Sequence, residues 1–312
     1  MKLSISNIAW TEEQDETVYG RMRECGFEGL EIAPTRIFPE NPYEHRQEAA
    51  EWAHGLRRAY GFSVPSMQSI WYGRPEKLFG TKEERKALAE YTKKAIDFAE
   101  AVGCRNLVFG CPRNRCLPEK RETQAGDRIE NGNKTTDVEG WNNKREGEQE
   151  SEWMETASRF FRELGEYALA HGTVIGMEAN PPMYHTNFIN TTKEALELVK
   201  RVDSRGFLLN LDVGTMLACG EDCTELQGSV RLINHVHISE PGLKPVQKRA
   251  LHQELKKILR EEHYDGFVSI EMGKTEDGSL RALKDAMAYV QFLFRHDGTG
   301  TKQTDSGQAE GK

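Results

Sequence analysis

The chain has 312 residues, of which 37% are hydrophobic and 29% are charged, and its formal net charge is −8. This composition is typical of a globular protein. Apolar runs stay well short of the roughly 20 residues that cross a bilayer, and the acidic balance argues against a protein that neutralises a nucleic-acid backbone. The six cysteines lack paired CxxC spacing, and the N-terminus lacks the apolar core of a signal peptide. We therefore expect a cytoplasmic protein with reduced thiols and with no nucleic-acid or membrane partner.

Short strand-type runs alternate with helical segments along the chain. The predicted strands are residues 3–9, 29–33, 63–68, 106–110, 175–178, 209–212, 235–237 and 268–271. The predicted helices begin after Thr11, lie near 43–60, cover 82–102, begin only at about Glu152, and lie near 192–202, 223–232, 245–262 and 278–295. Within 85–102, apolar side chains recur at i, i+3, i+4 and i+7, which is typical of a helix with one buried face.

Eight such units indicate an α/β fold, a closed (β/α)8 barrel of parallel strands, and one barrel accounts for most of the chain. We expect it to span residues 1–296 as a single domain. Residues 117–150 interrupt the pattern, because Trp141 is their only aromatic residue and aliphatic side chains are few. They form a polar insertion after the fourth strand, either a substrate lid or a solvated segment. The tail, residues 297–312, has a composition typical of disorder.

The last four predicted strands each end in a residue that binds divalent metals well. These residues, called here the strand-end cluster, are Glu178, Asp212, His237 and Glu271. Because the carboxyl ends of barrel strands meet on one face, three carboxylates and one imidazole would converge on a single cation site. This largely hard donor set favours Mn²⁺ or Mg²⁺, with Co²⁺ and Zn²⁺ as alternatives. We expect one divalent metal ion per chain.

These motifs resemble those of the xylose isomerase-like barrels, the sugar phosphate isomerase and epimerase family. The metal pattern of that family is Glu, Asp, His and Glu on strands five to eight. This sequence supplies it as Met177-Glu178, Leu211-Asp212, Val236-His237 and Ile270-Glu271. The resemblance covers about residues 1–295 apart from the insertion. It implies a xylose isomerase-like TIM barrel with a small-molecule sugar as substrate, and it leaves a homo-oligomer open.

One departure separates this chain from part of that family. Its ketose epimerases and its nucleases of the endonuclease IV type carry a histidine three residues after the strand-six aspartate, where this chain has Thr215. The nucleases also need histidines on strands two to four, whereas strands three and four here end in Met67-Gln68 and Phe109-Gly110. One metal ion can be assembled from these residues and three cannot, which argues against a nuclease.

The resemblance also implies a mechanism. A divalent cation that chelates a carbonyl and its neighbouring hydroxyl stabilises the oxyanion of an enediolate as a Lewis acid. In the epimerases the strand-five and strand-eight glutamates flank the reacting carbon, so Glu178 and Glu271 would be the catalytic residues. One would remove the proton and the other would return it, while Asp212 and His237 would mainly hold the ion.

We therefore expect a metal-dependent sugar isomerase or epimerase of carbohydrate metabolism. A lyase or dehydratase of the same fold is an alternative, because the same enolate can expel a β-leaving group instead of being reprotonated. Such an enzyme would resemble an inosose dehydratase or a 3-keto-glycoside eliminase. A barrel that binds a sugar without turning it over is the alternative outside enzymes.

Further candidates for substrate contact lie near the strand ends. They are Glu240, Lys244, His185, Arg113, Gln68 and Trp10. Glu240 matches an acidic residue that the family keeps near its site. Lys244, or Arg249 in the same loop, could neutralise an anionic substrate. His185 could reach a substrate hydroxyl, with a surface position as the alternative.

Other side chains near the strand ends are less specific. Arg113 and Arg115 follow strand four, and a guanidinium suits phosphate or carboxylate groups, with solvated loop charge as the alternative. Glu31 and Trp71 lie at the ends of strands two and three, where aromatic walls with a few polar groups suit a polyol pocket. Trp71 could equally be packing. His235 is predicted to point away from the metal side of its strand and to be a core or helix-facing residue.

Overall fold

The computed structural model describes residues 1–118 and 138–295. Within 138–150 it describes the backbone only. The tail predicted for 297–312 and most of the polar insertion predicted for 117–150 lie outside the described residues. In the described part of the chain, no helix is long and apolar enough to cross a membrane.

Seven strands form one parallel sheet within the described residues. They are β1 (Lys2–Ser6), β2 (Gly29–Glu31), β3 (Leu107–Phe109), β4 (Ile175–Met177), β5 (Phe207–Asp212), β6 (Ile233–Ile238) and β7 (Phe267–Ile270). Their order in the sheet is β2-β1-β7-β6-β5-β4-β3, so the last strand returns to lie beside the first. This curled, all-parallel order confirms the predicted barrel fold.

The predicted third strand, residues 63–68, is an extended segment that joins the two edges of this sheet. Single bridges connect it to β2 through Gly29 and Ser63 and to β3 through Met67 and Leu107. The backbone N–H of Leu30 donates to the Ser63 carbonyl at 2.9 Å, and the N–H of Val108 donates to the Met67 carbonyl at 2.8 Å. The segment is not a regular strand because Pro65, in its middle, has no N–H to give to a ladder.

Helices follow most of the strands and cover the sheet. They are α1 (Asp15–Glu24), α2 (Pro34–Ile37), α3 (Arg46–Tyr60), α4 (Lys82–Val102), α5 (Val138–Ala170), α6 (Thr192–Val202), α7 (Val213–Cys219), α8 (Ala250–Glu261) and α9 (Arg281–Arg295). Both α4 and α6 have the predicted bounds, and both begin with a capping box in which a threonine and a glutamate three residues later satisfy each other's backbone N–H.

Two predicted helices differ from the structure. The described part of helix α5 already includes Val138, well before the predicted start near Glu152. Glutamate, lysine, arginine and glutamine, which are frequent in this stretch, are good helix formers. The segment predicted as a helix over 223–232 consists of two short 3-10 helices separated at Gly228, which has a φ of 70°. A left-handed residue at that point ends the helical path.

An aromatic column packs the wall of the barrel beneath the site. Trp71, Phe109 of β3, Phe161 of α5 and Phe207 of β5 follow one another with ring centroids 4.7 Å apart at each step. Such pairs contribute roughly 0.5–1.5 kcal/mol each beyond their burial. The column therefore helps to position β3 and β5. The predicted metal ligands lie at the ends of β5 and of neighbouring strands.

Candidate active site

The strand-end cluster forms at the carboxyl ends of four adjacent strands. Glu178 follows β4, Asp212 is the last residue of β5, His237 lies near the end of β6, and Glu271 follows β7. Asp212 and His237 are direct partners across the sheet. One ligand atom from each of the four side chains can be chosen so that all lie within 4.8 Å of one another. The fold thus brings the four predicted metal ligands together.

The imidazole of His237 lies at the centre of this cluster. Its Nδ1 atom is 2.9 Å from Oε1 of Glu178 and 3.3 Å from Oε2 of Glu271. His237 is fully buried and Glu178 is 7% exposed, whereas Asp212 and Glu271 are partly exposed. The cluster therefore has a closed side at the histidine and an open side at the carboxylates.

Neighbouring hydroxyls hold the carboxylate of Asp212 in place. Its Oδ2 atom accepts the backbone N–H and the hydroxyl of Thr215, each at 2.8 Å. Its Oδ1 atom accepts the hydroxyl of Ser239, which in turn accepts the N–H of Gly214 at 2.8 Å. Asp212 is also the N-cap of α7, so the end of β5 and the start of the next helix fix this side chain together.

Two asparagines hold the carboxylate of Glu178. Its Oε1 atom accepts from Nδ2 of Asn210 at 2.9 Å, and its Oε2 atom accepts from Nδ2 of Asn180 at 3.2 Å. The carbonyl oxygen of Asn180 accepts from Nη2 of Arg115 at 2.9 Å. Because a guanidinium can only donate, this contact orients the amide so that its NH₂ group faces Glu178.

The electrostatics of the cluster suit a bound cation. Burial raises the pKa of all three carboxyl groups, and repulsion between them raises it further. Burial by itself would lower the pKa of His237, but Glu31, Glu271 and Glu178 outweigh it, and the pKa of His237 lies well above its ordinary value. Three carboxyl groups against one imidazole leave excess negative charge when ionised, so the donor set fits a divalent cation.

A cavity of about 810 Å³ opens above the carboxylates of the cluster. Four of the six predicted substrate contacts line it: Gln68, Arg113, His185 and Glu240. Trp71 also lines the cavity, and its indole N–H donates to the hydroxyl of Thr92 at 2.8 Å. This residue therefore combines the two roles considered for it, as part of the wall and as packing.

The other two predicted contacts, Trp10 and Lys244, are not among the described residues that line the cavity. Trp10 is 2% exposed, and its indole N–H donates to Oδ1 of Asp15 at 2.6 Å. It packs at the end of β1, with the guanidinium of Arg36 over its ring. Glu31 is likewise absent from the lining and is fully buried.

The arginines considered for an anionic substrate differ in their surroundings. Arg249 is paired with Glu240, its Nε and Nη2 atoms lying 2.9 and 2.6 Å from the two carboxylate oxygens. Arg115 is fully buried and contacts Asn180. Arg113 is exposed at the mouth of the cavity. Of these three, only Arg113 keeps its guanidinium at the cavity surface.

His235 is buried in the core, as predicted, but the side of the strand predicted for it was wrong. Nε2 of His235 lies 3.1 Å from Oε2 of Glu31, and Nε2 of His237 lies 2.9 Å from the same atom. Side chains alternate along a strand with a period of two, so residues 235 and 237 point to the same side. His235 therefore points into the barrel interior, one layer below the cluster.

Comparisons with known proteins agree with this geometry. The sequence model of the family described as xylose isomerase-like TIM barrel matches residues 20–291. The chain belongs to this family. Comparison with curated protein sequences gives no match.

Solved structures of several sugar epimerases share the fold. The 3-keto-D-glucoside 4-epimerase YcjR from E. coli has a TM-score of 0.66 at 19% identity, over 93% of this chain and 99% of that one. The D-psicose 3-epimerase of Clostridium cellulolyticum H10, solved with D-tagatose, has a TM-score of 0.65 at 18% identity, over 94% and 99% of the two chains. An L-ribulose 3-epimerase gives 0.64 at 16% identity, over 95% and 92%. At these identities the likeness is one of fold.

Thr215, at the start of α7, makes a second contact besides that with Asp212. Its hydroxyl lies 2.8 Å from the carbonyl oxygen of Ala179, in addition to its contact with Asp212. Thr215 is 1% exposed and belongs to the support of the carboxylate. Thr215 is not among the described residues that line the cavity.

The sequence interpretation missed the asparagines of the site. Asn210 lies two residues before Asp212 and Asn180 two residues after Glu178, and a period of two along an extended chain places such pairs on one side. That signal was available in the sequence. The partner of Asn210, Asn106 at 3.1 Å, is 104 residues away and becomes visible only in the fold.

Proposed function

We propose that this protein is a divalent-metal-dependent sugar epimerase or isomerase that acts by proton transfer at a carbon next to a carbonyl. The observation that carries the proposal is the strand-end cluster, three carboxylates and one imidazole within 4.8 Å, at the base of a cavity of sugar-accommodating size. The solved epimerases of the same fold, which their descriptions assign to keto-sugars, support this reading.

Glu178, Asp212, His237 and Glu271 would hold the ion. Their hard oxygen donors favour Mn²⁺ or Mg²⁺, with Co²⁺ and Zn²⁺ as alternatives. Such a cation, when bound, supplies Lewis acidity to a carbonyl oxygen and a neighbouring hydroxyl. Asp212 and His237 are the most firmly held of the four, one by Thr215 and Ser239 and the other by complete burial.

Glu178 and Glu271 are the proposed acid and base. Both follow their strands directly and line the cavity, and burial raises the pKa of each carboxyl group. A carboxylate placed beside a carbon next to a carbonyl can accept its proton, and the carboxyl group so formed can return one. Epimerisation requires removal of a proton from one face of a carbon and its return to the other, which two separate carboxyl groups can provide.

The remaining cavity residues would bind and orient the sugar. Gln68 and His185 offer hydrogen-bonding groups to hydroxyls, and Trp71 offers an aromatic wall. The carboxylate of Glu240 is 3% exposed and is neutralised by Arg249, so it can accept hydroxyl hydrogen bonds without adding net charge to the site. Arg113 at the mouth is the residue best placed for an anionic substituent.

Solvent deuterium exchange tests the proposal. Protein supplied with Mn²⁺ is incubated in D₂O with a panel of ketoses, aldoses, inososes and 3-keto-glycosides, and the recovered sugars are examined by mass spectrometry. One deuterium at a carbon next to the carbonyl is the expected result for at least one sugar. Loss of water or of a substituent instead would indicate a lyase. Absence of exchange and of any product across the panel would refute the proposal.

A further inference from the structure

The ring of His237 stands between two acidic groups, and each of its nitrogens faces one of them. Nδ1 faces the carboxylates of Glu178 and Glu271 on the cavity side. Nε2 faces Oε2 of Glu31, at 2.9 Å, on the barrel side. A histidine can offer either nitrogen to a metal, and the group bound to the other nitrogen decides which one is available.

Glu31 lies beneath His237, on the side of the ring away from the cavity. It is the last residue of β2, is fully buried and does not line the cavity. Its Oε2 atom lies 2.9 Å from His237 and 3.1 Å from His235, and its Oε1 atom has no hydrogen-bond partner. A buried carboxylate is costly unless it is paired. This one is directed to the two histidines of β6.

On the cavity side, the amide group of Asn210 also lies close to Nδ1 of His237. Asn234 donates to Oδ1 of Asn106 at 2.8 Å, and Asn106 donates to Oδ1 of Asn210 at 3.1 Å. This chain of amides turns the NH₂ group of Asn210 toward the site, 2.9 Å from Glu178 and 3.3 Å from Nδ1 of His237. Nδ1 lies among the other proposed cation ligands, Glu178 and Glu271, whereas Nε2 faces the carboxylate of Glu31, so a hydrogen on Nε2 would satisfy Glu31 and leave Nδ1 to the cation.

We propose that Glu31 is a positioning residue that accepts the Nε2–H of His237 and so presents Nδ1 to the metal. The inference rests on the proposed function, because it assumes a cation in the strand-end cluster. A carboxylate behind a metal-bound histidine fixes the ring and makes it a stronger ligand. Nε2 of His235 lies 3.1 Å from the same oxygen of Glu31 but forms no hydrogen bond with it. The group of Glu31, His235 and His237 is thus a support for the cation site and not a second one.

Nuclear magnetic resonance of the native protein tests the assignment directly. Full-length protein with ¹⁵N-labelled histidine is loaded with Zn²⁺ alone, which is diamagnetic, and the His237 ring is assigned by comparison with His237→Gln. Zn²⁺ on Nδ1 and a hydrogen on Nε2 are the expected result. Zn²⁺ on Nε2, or two Zn²⁺ ions per chain with one at His235, would overturn the proposal while leaving the metal dependence of the protein intact.

Metal affinity of a variant provides the second readout. Glu31→Gln keeps the shape and an acceptor oxygen but removes the charge, and Ser4→Ala is the matched control, since Ser4 is also a fully buried strand residue and has no hydrogen-bond partner. Competition with a chelator should show Zn²⁺ bound about 10- to 100-fold more weakly by Glu31→Gln, with unchanged affinity for Ser4→Ala. Native affinity in a folded Glu31→Gln protein would overturn the inference.

The two proposals fail in different ways. If the native protein binds no divalent ion at the strand-end cluster, both the proposed function and the role of Glu31 are wrong. If it binds one ion through Nε2, only the role of Glu31 is wrong. Should Glu31→Gln not fold, the spectrum of the native protein still decides between the two ring nitrogens.

Discussion

The three carboxylates of the strand-end cluster differ in how firmly neighbouring groups hold them, although all belong to the same proposed metal site. Asp212 is held by three hydrogen-bond donors and caps α7. Glu178 is held by two asparagine amides. Glu271, whose described side-chain contact is the 3.3 Å approach to His237, is less constrained. This difference suggests separate tests for holding the ion and for moving a proton.

Asp212→Ala is expected to abolish metal binding. The substitution removes one of the three proposed carboxylate ligands and leaves the hydroxyl of Ser239 without its acceptor, while the hydroxyl of Thr215 keeps the carbonyl of Ala179. Asp222→Ala is the matched control, because Asp222 is also a helix-capping aspartate, at an exposed site outside the cluster. Elemental analysis should find about one divalent ion per chain in the native protein and in Asp222→Ala, and none in Asp212→Ala. Full occupancy in Asp212→Ala would remove this residue from the ligand set.

Glu271→Gln is expected to separate metal binding from catalysis. The amide keeps an oxygen that can bind the ion but loses the proton acceptor, so metal should largely remain while turnover falls by a factor of about 10² or more. Glu276→Gln, a change of the same kind at an exposed position of the same loop, should behave as native. Native turnover by metal-loaded Glu271→Gln would assign the proton transfer to another group.

At the scale of helices and strands, the sequence predicted the features that depend on interactions between neighbouring residues. The bounds predicted for α4 and α6 agree with the structure, where each helix begins with a threonine–glutamate pair that satisfies backbone groups within four residues. Alternation of strands and helices predicted the barrel and the common position of the strand ends. Prediction failed where distant partners decide. The amide chain from Asn234 through Asn106 to Asn210 joins residues far apart in sequence.

The cap of α4 can be tested without touching the site. Thr81→Ala removes the hydroxyl that accepts the N–H of Glu84 at 3.1 Å, and should lower the free energy of unfolding by about 1 kcal/mol. Thr81→Ser keeps the hydroxyl and is the control. Urea unfolding gives the stability, and chelator competition should give the same metal affinity for all three proteins. A change in metal affinity for Thr81→Ala would mean that α4 is coupled to the site.

At the scale of the whole molecule, the barrel brings several titratable groups close together in a largely buried site. The carboxyl groups of the strand-end cluster have raised pKa values, so the metal-free fold binds their protons more tightly than the unfolded chain does. That stabilisation is lost as pH rises past the ordinary carboxyl pKa of about 4 and through the raised values. His237, whose pKa is also raised, contributes stability below its ordinary pKa of about 6.5 and loses it as pH rises further. The pKa of Glu31 is lowered, so its favourable contribution is constant above about pH 5.

Metal binding should therefore stabilise the protein more at higher pH. A cation replaces the protons of the strand-end cluster, and the ligands must give them up to bind it. The difference in melting temperature between protein with Mn²⁺ and protein with a chelator is expected to grow as pH is raised from about 5 to about 8. His252, whose pKa is lowered to about 4 by burial, has the opposite sign but lies outside the cluster, so it cancels in the difference. Asp212→Ala should show no difference at any pH. A difference that is constant or that shrinks with rising pH in the native protein would mean that these four groups are not the ones that bind the ion.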